Sequence, residues 1–336
     1  MTGLPPPGPH GGDAWAVARA LGLDPADVLD LSQSLNPVAP DPVPVLERHL
    51  GALRRYPDPG AATAALAAAM GVDEERLLLT NGGAEAIRLV ADELGGRVSE
   101  PEFSLHPRGA GPLWRSNPHN PSGRLAPAHA QAGVWDEAFF ALATGRWTRG
   151  DPDTVVVGSL TKLLACPGLR VGYVLAPPAR ADVVERCRRR QAAWSLNGLA
   201  ADALPALLEA VDLGRWHLRI ARLRDELAGV LRRHGLEPAA SDANWLLVRA
   251  PGLRAELAGK GVVVRDCASF GMPETVRIAV PSEEGLARLD GALAAVKHRP
   301  WRRPEGVGQG TRSGACGSPD RGNGTPSPHP ARRATQ

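Results

Sequence analysis

Cysteine and lysine are scarce in this chain, and long apolar runs are absent. Its 336 residues hold four cysteines, Cys166, Cys187, Cys267 and Cys316, none of them in a C-x-x-C pair. That spacing argues against a disulfide framework or a metal site and for free thiols. No apolar stretch reaches the length of a membrane-spanning helix. The opening "MTGLPPPGPHGGDAW" has neither the basic nor the apolar segment of a secretory signal. A cytoplasmic protein with no membrane partner is expected, and no internal repeat is visible. Lysine is the most telling scarcity: against 36 arginines there are only Lys162, Lys260 and Lys297.

The chain is 43% hydrophobic and 22% charged, ordinary values for a globular protein long enough to bury a large core. Its formal charge is +3, but residues 299–336 alone carry +5, which leaves −2 for residues 1–298. A nearly neutral body gives no reason to expect nucleic acid as its partner. The basic end, rich in Gly, Pro, Ser and Arg, reads as a disordered tail over 299–336.

Four segments are expected. Residues 1–45 are Pro-rich, with one helix in "GDAWAVARALGL" and the extended "VLDLSQSLNPVAPDPVP", and read as an arm laid over the body. Residues 46–205 alternate apolar strands ("RLLLT", "GVWDEAFF", "TVVVGSLTK", "VGYVLAPP") with helical patterns, which predicts a mainly parallel sheet covered on both faces. Between them, Ile87, Val90, Ala91 and Leu94 mark one helical face closed by Gly95 and Gly96. Residues 206–298 carry the amphipathic helix "RIARLRDELAGVLRRHG", then "ANWLLVRA", "GVVVRDCA" and "TVRIAV", and read as a smaller α+β domain. The tail is the fourth.

A primary amine does two things that guanidinium cannot: it loses its proton at accessible cost, and it forms an imine with an aldehyde. Lys162 follows an apolar strand, where a sheet delivers residues to the crevice at its carboxyl ends. Ser159, Thr161 and Arg170 beside it make a cradle for a phosphate; a plain loop lysine is the alternative. The turn "TNGGAEA" aims unpaired amides of Gly83 and Ala84 at an anion, or is simply a tight turn. Asp136 closes a strand and needs a cationic partner, either a protonated pyridine nitrogen or a structural salt bridge. Asn120, in the Pro-rich turn "SNPHNPSG", offers an amide to a phenolic oxygen or serves the turn alone. Arg277 in "TVRIAV" is either a carboxylate clamp or an arginine on a solvated strand face.

Taken in order, these segments resemble the fold-type I pyridoxal-phosphate enzymes of the class I/II aminotransferase superfamily, whose S-x-[TS]-K…R-x-G pattern "SLTKLLACPGLRVGY" matches. "HGG" at 10–12, "LDLSQSLNPVAP", "RYPDP", "AAWSLN", "SDANWLLVRA" and "VVVRDCASF" resemble most the threonine-phosphate decarboxylases of cobalamin biosynthesis, relatives of the histidinol-phosphate aminotransferases. The resemblance runs from about residue 10 to 297. It implies pyridoxal 5′-phosphate as cofactor and Lys162 as the lysine that carries it. Asp136 would hold the ring N–H, Asn120 the ring oxygen, and Phe103 would stack on the ring. Ser159, Thr161, Arg170 and the amides of Gly83 and Ala84 would hold the phosphate, with Tyr56 reaching in from the second copy of a homodimer. Arg277 would clamp the substrate carboxylate, Arg265 and His10 would face a phosphate on the amino-acid substrate, and Asn36 would lie over the site from the arm.

The reaction implied is decarboxylation of L-threonine O-3-phosphate to (R)-1-amino-2-propanol O-2-phosphate. Phe139 agrees with it, because histidinol-phosphate aminotransferases carry Tyr there. The alternatives are an aminotransferase of that type and a non-catalytic pyridoxal-phosphate-binding protein. One departure stands out. Only thirteen residues, "SLHPRGAGPLWRS", separate Phe103 from Asn117 where fuller relatives have several tens more, and His106 stands where Tyr is usual. The absent part would supply a helix and strands of the large domain.

Overall fold

The computed structural model describes residues 4–8 and 10–296, so the expected disordered tail lies outside the described residues. Nine strands are described: β1 (Leu29–Leu31), β2 (Leu77–Asn81), β3 (Trp114–Ser116), β4 (Val134–Asp136), β5 (Val155–Ser159), β6 (Val171–Leu175), β7 (Trp245–Arg249), β8 (Val262–Asp266) and β9 (Thr275–Ala279). They form one five-stranded sheet in the order β2-β6-β5-β4-β3 and one four-stranded sheet in the order β1-β8-β9-β7.

The Val and Leu runs that predicted a sheet covered on both faces form one. Leu77, Leu79 and Val156 enter a core with Leu66 of the helix Gly60–Met70 and Leu204 of the helix Gly198–Leu208. Leu78, Val155, Val157 and Val174 point the other way, against Leu89 and Val90 of the helix Gly82–Leu94. Alternation along each strand thus divides the apolar side chains between two cores. On that helix Ile87 and Val90 are buried as expected, joined by Ala86, whereas Ala91 and Leu94 are only partly buried.

β3, β4 and β5 pair in parallel, while β6 runs antiparallel to both β5 and β2. Four strands therefore point one way and β6 alone is reversed. The reversal decides where chemistry collects. It brings the residue entering β6, Arg170, to the edge where β2, β4 and β5 deliver Asn81, Asp136 and Ser159.

The arm is more than a strap over the body. β1 pairs in parallel with β8, Leu29 beside Val262 and Leu31 beside Val264, and so completes the second sheet. The helix Leu213–Arg233 spans both cores, with Leu213, Trp216 and Ile220 in the first and Leu223, Leu227 and Leu231 in the second.

After the helix Gly82–Leu94 the chain turns back at once. Gly96 N–H donates to the Ala110 carbonyl at 2.8 Å, Gly109 N–H to the Gly96 carbonyl at 2.7 Å, and Trp114 N–H to the Arg97 carbonyl at 2.8 Å. Gly111 sits at φ +131°, and a Cβ there would stand 2.6 Å from Gly96 N. The link closes because its glycines let backbone meet backbone. Trp114, fully buried, donates its indole N–H to the Gly95 carbonyl at 3.0 Å and seals the sheet edge. Among the described residues no helix is long and apolar enough to cross a membrane.

Gly172 of β6 lies against the start of the helix Gly82–Leu94, where a Cβ would stand 2.5 Å from Gly83 N and 2.7 Å from the Gly82 carbonyl oxygen. Gly172→Ala is expected to cost about 1–3 kcal/mol by pushing the helix start off the strand. Thermal and denaturant unfolding measure that cost, and an unchanged midpoint would refute this packing.

Candidate active site

At the shared edge of β2, β4, β5 and β6 lies a cavity of about 270 Å³. Lys162 lines it from the helix Leu160–Leu163 directly after β5. The motif residues reach the same cavity by short routes: Asp136 ends β4, Ser159 ends β5, and Gly83 and Ala84 open the helix that follows β2. Asn120 and Phe103 come from the loops on either side of β3. Arg265 and Arg277 come from the second sheet, as directly paired residues of β8 and β9. His10 comes from the arm.

Local conformation explains the cradle. Gly82 has φ +73°, and a Cβ there would lie 2.5 Å from Nη2 of Arg170. Only glycine lets that guanidinium lie across the helix start, where the first amides have no intrahelical partners. Arg170 itself is held at φ +57°, sparsely populated for a residue with a side chain. Thr161 lines the cavity, but its hydroxyl donates to the Val171 carbonyl at 3.4 Å, so it also fixes the start of β6.

The cavity is crowded with positive charge. Burial, and then the guanidiniums of Arg277, Arg170 and Arg265, push the Lys162 amine down to about 8, with Asp30 pulling the other way. Arg277, almost fully buried, is pushed down to about 9 by burial and by Arg265, and remains charged at neutral pH. It is not on a solvated strand face. It donates to Asn120 Oδ1 at 3.0 Å and lies 4.8 Å over the Trp245 ring. With Oδ1 engaged, the Asn120 amide is left as a donor group. Arg265 lies over Phe270 and donates to the His10 carbonyl at 3.1 Å. Burial and Arg265 lower the His10 imidazole below its usual range.

One expected residue stands elsewhere. Asn36 is buried behind the lysine and does not line the cavity: its amide donates to the Leu163 carbonyl at 2.9 Å and its backbone N–H to the Lys162 carbonyl at 3.0 Å. Its work is to tie the arm to the lysine segment. Tyr56, expected to reach the site of a second copy, is 75% exposed outside the cavity of its own chain and stacks on Trp194 with ring centroids 4.5 Å apart. Two residues escaped the sequence reading. Gln33 lines the cavity while donating to Asp30, and His106 contacts Asp136. His106 was visible as a replacement of Tyr; nothing in its spacing announced the contact.

The residues fit pyridoxal 5′-phosphate. One cavity holds an amine of lowered basicity, a carboxylate for a cationic ring nitrogen, an amide for a ring oxygen, an aromatic face and a helix start with Ser159 and Arg170 for a phosphate.

Over residues 105–293, more than half its length, the chain matches the aminotransferase class I and II family. It is 29% identical to histidinol-phosphate aminotransferase 2 of Pseudomonas fluorescens, over 84% of this chain and 92% of that one. The alignment covers 346 positions with only that part of 336 residues to fill them, so several tens of the relative's residues have no counterpart here. Among solved structures, the histidinol-phosphate aminotransferase of Sinorhizobium meliloti in complex with pyridoxal 5′-phosphate superposes with a TM-score of 0.69 at 18% identity, over 84% of this chain and 94% of that one. The L-threonine-O-3-phosphate decarboxylase of Porphyromonas gingivalis does so with 0.66 at 22%, over 80% and 98%. Both likenesses are of fold, and the fold-type I architecture expected from the motifs is the one observed.

An amine near 8 is roughly one-tenth neutral at pH 7, against roughly one part in three thousand at 10.5. The rate at which cofactor-free protein captures pyridoxal phosphate should therefore rise about tenfold per pH unit up to about 8 and then level off. Stopped-flow absorbance reads this directly. A rise continuing to pH 10 would show an amine that the cavity does not perturb.

Proposed function

We propose that this chain, which belongs to the aminotransferase class I and II family, is a pyridoxal-phosphate-dependent aminotransferase of histidinol-phosphate type, acting on an amino compound that carries a phosphate. The observation that carries the reading is a pair of arginines in the cavity besides Arg170. Arg265 and Arg277 line it from the second sheet, with His10 of the arm beside them. A substrate with its own anionic groups answers that surplus of positive charge. The named relative supports the same choice over the decarboxylase that the sequence motifs favoured.

Bound pyridoxal phosphate supplies an electron sink for the carbon that bears the amine. The protein's part is to place and protonate. Lys162, an amine lowered to about 8, would hold the cofactor aldehyde as an imine with loss of water and, once displaced by the substrate's amine, would carry a proton at the substrate carbon. Asp136 would favour a proton on the ring nitrogen, and Ser159, Arg170 and the helix amides would hold the phosphate. Arg277 and Arg265 set the substrate's orientation, and with it the bond that breaks.

Decarboxylation of L-threonine O-3-phosphate is the second reading, favoured by Phe139. Its ring lines the cavity, packed edge-on to Trp245 at 4.7 Å, and brings no hydroxyl to a ring oxygen. One assay separates the two. Purified protein with pyridoxal phosphate is given histidinol phosphate plus 2-oxoglutarate, or threonine phosphate alone. Glutamate formation in the first arm supports the aminotransferase; CO₂ release in the second with no glutamate in the first overturns it. Lys162→Ala should abolish either activity, by at least about a thousandfold.

We infer also that a second copy of the chain completes the site, because Tyr56 and Trp194 form an exposed aromatic pair outside the cavity of their own copy. Mixing inactive Lys162→Ala with weakened Tyr56→Ala should restore up to about a quarter of wild-type sites by subunit exchange. A mixture no more active than Tyr56→Ala alone would remove the second copy from the site.

A further inference from the structure

The wall that the arm gives to the cavity holds a neutral amide among cations. Gln33 lies just past β1 and lines the cavity. Its Nε2 donates to Asp30 Oδ2. A carboxylate accepts and has nothing to donate, so the amide cannot be turned end for end: its nitrogen faces Asp30 and its oxygen is left as an acceptor group. Asp30 is held in turn by Ser32, whose backbone N–H and hydroxyl donate to Oδ1 at 2.9 and 2.6 Å.

The same network reaches the turn that carries His10. The Ser32 hydroxyl accepts the Gly12 N–H at 2.8 Å. The fit there is close: a Cβ on Gly11 would stand 2.7 Å from the Ser32 carbonyl oxygen, and one on Gly12 would meet Cγ of Gln33 at 3.9 Å. Arg265 fastens that turn by donating to the His10 carbonyl at 3.1 Å. Gln33, His10 and Arg265 thus belong to one connected wall, and the amide is set by a carboxylate behind it.

Lys162, Arg170, Arg265 and Arg277 line the same cavity, and the Asn120 oxygen is already taken by Arg277. Such groups answer a substrate's anions but cannot recognise a hydrogen-bond donor; the Gln33 oxygen can. We propose that Gln33 is a specificity-determining residue, whose amide oxygen accepts an N–H or O–H on the part of the substrate that does not react. This rests on the aminotransferase reading above and narrows its substrate class to phosphorylated amino compounds whose side chain carries a donor of its own, such as the ring N–H of an imidazole. Threonine phosphate has no such group, because its hydroxyl oxygen bears the phosphate. A donor-free substrate of the same shape displaces water from the oxygen and gives it no partner, and that penalty is the source of discrimination.

The test supplies the full chain, with pyridoxal phosphate and 2-oxoglutarate, with two amino compounds. One is histidinol phosphate. The other has a thiophene ring in place of the imidazole, which keeps the amine, the phosphate and a five-membered ring but has no N–H. Wild type should prefer histidinol phosphate about tenfold in kcat/KM for glutamate formation. Gln33→Met and Gln33→Leu remove the acceptor. Each should lower kcat/KM for histidinol phosphate about tenfold and leave the thiophene compound within about threefold, so that the preference collapses. The rise in melting temperature that each compound gives to cofactor-free protein is a readout without turnover and should follow the same order. Two variants keep the test open if one does not fold. Equal losses on both compounds would make Gln33 a packing element of the arm and overturn the proposal, as would an unchanged preference in the variants or a wild type that does not distinguish the compounds. Wild type that forms glutamate from neither would overturn the aminotransferase reading and this proposal with it, and that arm is read first.

Discussion

Four cationic side chains share one cavity, and most of the site's behaviour follows from that crowding. Lys162, Arg170, Arg265 and Arg277 line the same space, and the repulsion among them acts where water is scarce. Flexible loops would let such charges drift apart. The fold prevents this by fixing Arg265 and Arg277 as a cross-strand pair and Arg170 at the entrance to β6. Two consequences come together. The amine becomes easy to deprotonate, and the cavity becomes a strong attractor of phosphate and carboxylate groups. The same arrangement that readies the nucleophile therefore selects anionic ligands.

Much of this was legible along the chain because the pieces are local. The spacing of Ser159, Lys162 and Arg170 is set by one strand, one short helix and one return strand, so a linear pattern captures it. Asp136 and the Gly83–Ala84 turn were readable for the same reason, each lying at the end of an apolar run. Arg277 was ambiguous, since alternation alone cannot tell a solvated face from a cavity-lining one. What stayed hidden depends on pairing across long distances. β1 joins β8 more than 200 residues away, a partnership for which a three-residue strand leaves no periodic trace. Asn36 was expected over the cavity, whereas its buried amide reaches the Leu163 carbonyl behind the lysine. Composition in the arm does not distinguish those two sides.

The shortened link shows what a fold can lose and keep. A sheet ending at β3 leaves an edge, which is a liability unless it is covered. Here the edge is only three residues long, its tryptophan is buried, and the segment of Arg97 bridges to Leu113 beside it. The glycines at 95, 96 and 111 allow the chain to fold back within van der Waals limits. Next to that edge, Phe103 and Asp136 both contact the buried His106. Glu102, His106 and Arg108 hold the loop by hydrogen bonds. A buried polar support is directional, so it constrains orientation more tightly than apolar packing of the same volume.

The choice between two reactions turns on orientation and not on inventory. Both need the amine, the ring-nitrogen carboxylate and the phosphate cradle, and all three are in place. On the proposed reading the difference would lie in how the substrate's anionic groups are shared between Arg265 and Arg277, because that sharing would set which bond stands perpendicular to the ring. Phe139 provides no hydroxyl, so the Asn120 amide is the polar group left to meet a ring oxygen from that side. Asn120 is in turn oriented by Arg277 through a 3.0 Å hydrogen bond. A substrate carboxylate drawn to Arg277 competes for the same guanidinium and shifts the amide that steadies the ring. Substrate binding and ring orientation are thereby linked through one buried contact, and that contact is where a single scaffold would be tuned from one bond cleavage to the other.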